Sequence, residues 1–112
     1  MVQYQQRLDG TLSALADPTR RAILDRLREG SATISELAEA TGITLTGVKK
    51  HVAILEGAEL VGTEKRGRSR HCSLVPRPLD EISEWMESYR LGWEDRFSRL
   101  DQVIERKKES AK

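Results

Sequence analysis

Six cations stand in two short runs, Lys49-Lys50 and Lys65-Arg66-Gly67-Arg68-Ser69-Arg70, and no acid interrupts the second. Such a density suits a polyanion, because ammonium and guanidinium groups hydrogen-bond phosphate oxygens and also reach the O6 and N7 acceptors of guanine in a major groove. Thr44 and Thr46 place hydroxyls beside the first run, Gly47 a bare backbone and His51 an imidazole. Hydroxyls bond base edges or phosphates, and a glycine lets another backbone come close. Two lysines alone make an ordinary solvated helix face, and charge on an edge strand guards against aggregation. Four cations in six residues exceed what edge protection needs.

Other chemistry is sparsely supported. Cys72 follows His71, but neighbours on a strand point to opposite faces, so no thiolate-imidazole pair forms, and a small half-buried hydrophobe is the simpler reading of Cys72. A redox-responsive thiol, its pKa lowered by the adjacent arginines, is an alternative. Glu81, Glu84, Glu87, Glu94 and Asp95 alternate with Arg90, Arg96 and Arg99, the pattern of an ion-paired helix face rather than an acid-base pair. No nucleophile-base set, phosphate-cradling glycine loop or metal-spaced cluster points to an enzyme, a cofactor or a metal site.

The elements that must position the cations follow from caps and periodicity. A short first helix over residues 9–16 carries Leu12 and Leu15. Asp17 reads as an N-cap with Pro18 in the first turn, opening a helix with a buried stripe of Ile23, Leu24 and Leu27 that ends at Gly30. Thr33 and Glu36 form a capping box ahead of Ile34, Leu37 and Ala38, and Gly42 closes that short helix. Thr44 caps the next, with Leu45, Val48, Val52 and Leu55 as its apolar face. Short helix, glycine-containing turn and second helix make a helix-turn-helix whose outward positions are Thr46, Gly47, Lys49 and Lys50. Two strands, residues 61–65 and 71–75, flank the turn 66–70. From Leu79 to Lys107, Ile82, Met86, Tyr89, Trp93, Phe97, Leu100 and Ile104 recur in steps of three and four, predicting one long amphipathic helix. Trp85, Tyr89, Trp93 and Phe97 concentrate aromatic area there, which calls for a partner, most simply a second copy of the chain.

The whole is 112 residues with 38% hydrophobic and 33% charged residues. That predicts one domain over 1–112, mainly α with a small β-hairpin: a helix-turn-helix core over 9–76 and a dimerisation helix over 78–108. One cysteine excludes an intrachain disulfide and a multi-cysteine zinc site. No apolar stretch is long enough for a membrane span, and the opening MVQYQQRLDG lacks a secretory core, so the cytoplasm is expected. The net charge of +1 hides a distribution. Thr44 to His71 holds six cations against three acids, so the remainder is acidic. Double-stranded DNA is therefore the expected partner; a protein-interaction module built on the aromatic helix is the competing reading.

The stretch LADPTRRAILDRL, then ISELAEATGITLTGVKKHVAILEGAELV, then a basic wing ending in HCSL, resembles the winged-helix repressors of the arsenical-resistance-repressor (ArsR) family, over roughly Leu12 to Val75. The last helix is more similar to the subgroup encoded beside lipid-transfer-like hydrolase-activator proteins than to the metal sensors. The resemblance implies a winged helix-turn-helix homodimer, joined through its first and last helices and repressing transcription from a palindromic operator. It implies that His51 packs and makes a backbone or phosphate contact. Three positions depart from the family pattern: Lys49 replaces a common Ser, Val52 a Leu, and Glu59 a Gly at the end of the recognition helix. The Cys-x-Cys pair that metal sensors carry is absent from Ile34 to Ala40, and Leu79 to Lys112 holds no His.

Overall fold

The computed structural model describes the backbone of residues 2–110 and the side chains of residues 2–107. Five helices and three strands follow in the order α1 (Val2–Leu15), α2 (Pro18–Leu27), β1 (Ala32–Thr33), α3 (Ile34–Thr41), α4 (Leu45–Gly57), β2 (Val61–Arg66), β3 (Ser69–Leu74) and α5 (Arg77–Ser110). The chain forms two compact units, one ending at Ile82 and the other beginning at Ser83. The fold is mainly helical with a small antiparallel sheet, as expected.

Caps set the helix starts. The Asp17 carboxylate accepts from the Arg20 amide at 3.2 Å, with Pro18 opening α2. Thr33 Oγ1 accepts from the Glu36 amide at 3.1 Å while Glu36 Oε1 accepts from the Thr33 amide at 3.3 Å, completing the box that starts α3. Thr44 Oγ1 accepts from the Gly47 amide at 3.1 Å and starts α4. Each such cap is worth about 1 kcal/mol. Gly42, at φ 73°, ends α3 in the left-handed conformation that a residue without Cβ adopts at little cost.

In the first unit, α2, α3, α4 and the sheet surround one core. Ile23, Leu37, Val48, Leu55, Leu60 and Cys72 are fully buried there, with Leu24, Leu27, Ile34 and Val52 beside them. The strand order is β1-β3-β2, with Ala32 opposite Cys72 and Thr63 opposite Cys72 on the other side.

Several boundaries differ from the sequence reading. Helix α1 begins well before residue 9, and the face it buries is Leu8, Thr11 and Ala14. Leu12 is exposed, and Leu15 packs on the core of its own unit. Helix α2 ends at Leu27, ahead of Gly30. The hairpin turn is only Gly67-Arg68, because Arg66 and Ser69 still pair across the ladder. Strand β1 carries no sequence signal: Ala32 and the capping residue Thr33 pair with β3, a non-local contact. Leu45 leaves the core, since burial on α4 starts one turn later at Val48.

Cys72 shows why the redox reading fails on its own terms. Its side chain is fully buried, and burial pushes the thiol up from its ordinary value, outweighing the lowering effect of Arg70. A buried, protonated thiol is a poor nucleophile.

In the second unit the stretch of α5 from Ser83 carries its own aromatic contacts. Trp85 meets Tyr89 edge to face at 5.3 Å and Trp93 stacks on Phe97 at 5.8 Å. Arg90 bonds Glu87 and Glu94, and its guanidinium holds the Glu87 carboxyl below the usual range.

The family departure at Glu59 has a structural counterpart. Helix α4 closes with the Leu60 amide on the Leu55 carbonyl at 2.9 Å, which places Glu59 at φ 61°. A left-handed residue with a Cβ costs about 1–2 kcal/mol, whereas its exposed ion pair with Arg77 returns at most about 1 kcal/mol. Glu59→Gly is therefore expected to stabilise the protein by about 0.5–1 kcal/mol, a rise of roughly 2–5 °C in Tm. Thermal unfolding followed by circular dichroism checks this; an unchanged or lower Tm means that the ion pair outweighs the strain.

Candidate nucleic-acid interface

Helix α4 turns one face to the core and the other to solvent. Its side chains fall into two sets: Val48, Val52 and Leu55 point inward, while Leu45, Thr46, Lys49, Lys50 and Ala53 lie exposed. Helical spacing of three and four produces the division. Beside this face the β2–β3 hairpin rises from the sheet. The alternation of strand residues sends Lys65 toward α4 and Arg66 to the other side.

A cleft of about 460 Å³ separates helix and hairpin, and Lys49, Lys65, Arg68 and Arg70 all line it. Members of two runs separated by fourteen residues of sequence thus meet in one basic concavity. Among the described residues Glu56 is the one acid on its wall, and its Oε2 accepts from Thr63 Oγ1 at 2.6 Å. Lys65 and Arg70 are direct cross-strand partners. Like charges placed opposite each other destabilise a hairpin, a cost that a bound polyanion would remove.

The remaining sequence candidates are distributed differently. Thr46 and Lys50 share the exposed face of α4 without lining the cleft. Arg66 ion-pairs with Glu64 at 3.1 Å, so the wing charge is not wholly uncompensated as the sequence suggests. Thr44 is exposed, but its hydroxyl is engaged by the cap. Gly47 also has a reason inside the chain: a Cβ there would sit 2.7 Å from Ile43 Cγ2 and 3.2 Å from Thr44 Oγ1. The turn before α4 closes that tightly.

His51 is half-buried and turned toward α2. Its Nδ1 lies 3.5 Å from Arg20 Nη1 and 3.7 Å from Asp17 Oδ2. Arg20 in turn donates to the carbonyls of Ala14 at 2.7 Å and Ser13 at 3.1 Å. The group ties the end of α1, the start of α2 and the recognition helix together. Sequence reasoning found the Asp17 cap but not this three-way contact, because residues 20 and 51 meet only in the folded chain.

Of the expected dimer-seam residues, Tyr89, Trp93, Phe97 and Leu100 are all more than half exposed, as is Met86. Trp85 is partly covered. Among the described residues nothing lies within 4 Å of a Cβ at Gly92.

Known proteins resemble this chain in sequence and fold. A helix-turn-helix domain model matches residues 15–64, the segment from the end of α1 into β2. The transcriptional repressor SdpR of Bacillus subtilis is 32% identical over 82 residues, covering 73% of this chain and 91% of SdpR. The HTH-type transcriptional regulator NmtR of Mycobacterium tuberculosis is 37% identical over 98 residues, covering 84% of this chain and 82% of NmtR. A crystal structure of an ArsR family transcriptional regulator superposes with a TM-score of 0.77 at 41% identity, covering 84% of this chain and 97% of that one. With sequence, fold and the exposed recognition helix in agreement, the chain belongs to the ArsR family of winged helix-turn-helix transcriptional regulators.

Proposed function

We propose that the chain represses transcription as a cytoplasmic homodimer, each protomer laying α4 in a major groove of a palindromic operator and its β2–β3 wing along the neighbouring phosphates. The observation that carries this is the basic cleft joining Lys49 of α4 to Lys65, Arg68 and Arg70 of the wing. Such a concavity matches the ridge of a phosphate backbone, with helix residues inside the groove and wing cations over its edge. Thr46 and Lys50 read bases or phosphates beside it. Repression is supported by the kinship with a protein named as a repressor.

The dimer reading rests on α5. Met86, Tyr89, Trp93, Phe97, Leu100 and Ile104 expose an apolar row at helical spacing. Leu12 of α1 is a second exposed apolar residue open to a partner, while Leu15 packs on the core of its own unit. Burying Trp or Phe area of this kind supplies much of the energy of an obligate interface. The aromatic α5, the lack of a Cys-x-Cys pair in α3 and the lack of His after Leu79 support placement in the subgroup that does not sense metals and is encoded beside lipid-transfer-like proteins. Among the described residues no helix is long and apolar enough to cross a membrane.

Two contrasted variants test the interface. Lys49→Ala with Lys50→Ala is expected to reduce discrimination between operator and random duplex in a gel-shift titration, with a loss of roughly tenfold or more per half-site. Arg68→Ala with Arg70→Ala should weaken binding to all duplexes alike and reduce the slope of log affinity against log salt by about one to two per protomer. Unchanged operator affinity in both variants contradicts the reading. For the dimer, sedimentation of the wild type should give twice the chain mass, and Trp93→Arg should give the monomer; a wild-type monomer at micromolar concentration refutes it.

A further inference from the structure

Leu45 is a large apolar side chain left half exposed, at 50%, on the first turn of the helix that faces the cleft. Its neighbours on the exposed face are polar or charged: Thr46, Lys49 and Lys50. Of the other exposed apolar residues of α4, Ala53 brings only a single methyl to the cleft wall and the larger Ile54, two turns further on, does not line the cleft, whereas Leu45 does, with Lys49, Arg68 and Arg70. The Thr44 cap fixes Leu45 as the first helical residue. In a helix-turn-helix the N-terminal residues of the second helix are those that meet base edges.

A leucine has no donor or acceptor, so it cannot distinguish the polar edges of guanine, adenine or cytosine. The one apolar group that bases present in the major groove is the C5-methyl of thymine. We propose that Leu45 is a specificity-determining residue that reads a thymine methyl in each operator half-site, between the contacts that Lys49 and the wing cations make. The inference rests on the DNA-binding reading above and adds a base identity to it. The wing cations supply affinity for any duplex and Lys49 contributes a polar base contact; Leu45, in the same cleft, makes one position of the half-site favour thymine. Contact with one methyl group is worth about a fourfold change in affinity.

The test uses the full-length wild type and Leu45→Ala, a substitution at an exposed position, with two synthetic duplexes. The first is the sequence enriched by the wild type from a random duplex pool; the second has deoxyuridine in place of every thymidine of the half-sites, removing only methyl groups. Wild type should bind the deoxyuridine duplex about fourfold more weakly per half-site. Leu45→Ala should bind both duplexes equally, at the level of wild type on deoxyuridine. Equal wild-type affinity for the two duplexes, or an undiminished thymidine preference in Leu45→Ala, overturns the assignment while leaving DNA binding intact. Failure of the wild type to enrich any sequence or bind any duplex removes the DNA-binding reading itself, and this inference with it.

Discussion

The burial of Val48, Val52 and Leu55 is the constraint on which the rest of the interface depends. These three residues press one side of α4 onto a core shared with Ile23 of α2, Leu37 of α3 and Leu60 and Cys72 around the sheet. Burying each is worth about 2 kcal/mol, and because they repeat at helical spacing they also fix the rotation of α4 about its own axis. Lys49 and Lys50 therefore face outward as a geometric consequence. The wing is held to the same core: Leu60 and Val61 are buried where α4 passes into β2, and the Val75 amide bonds the Leu60 carbonyl at 2.8 Å. Recognition helix and wing thus share one rigid base, which is why cations remote in sequence can line one cleft.

Tight packing around α4 imposes local costs that the sequence absorbs residue by residue. The entry turn is so close that position 47 has no room for a Cβ beside Ile43 and Thr44. The exit places Glu59 in a left-handed conformation, with Arg77 beside its carboxylate. On the opposite side, Arg20 links two α1 carbonyls to Asp17 and His51, so the orientation of the recognition helix is tied to the end of α1. His51 joins this group through its Nδ1, which faces Arg20 and Asp17.

Much of the architecture was legible because it is encoded locally. Asp17-Pro18, Thr33 with Glu36, and Thr44 each satisfy a helix end within three residues, so their chemistry can be read from the chain alone. The steps of three and four from Ile82 to Ile104 announce α5 for the same reason. What escaped depends on distant partners. Strand β1 exists only because β3 lies beside it, and the hairpin turn shortens because Arg66 and Ser69 pair across it. Leu45 fits the apolar period of α4 yet lies exposed, since a helical pattern does not say where the core stops. The basic runs were visible as residues, but the cleft they form required the fold, as did the pairing of Arg66 with Glu64.

The central claim is that two copies of α4 lie in major grooves of one duplex with the wings over the flanking backbone. Chemical protection on the enriched duplex tests it most directly, with dimethyl sulfate reporting guanine N7 in the major groove and hydroxyl radicals reporting the sugar-phosphate backbone. Two protected major-groove patches are expected on one face of the duplex, related by two-fold symmetry and separated by a whole number of helical turns, each flanked by backbone protection. A single protected patch, or backbone protection with every guanine N7 still reactive, would contradict it.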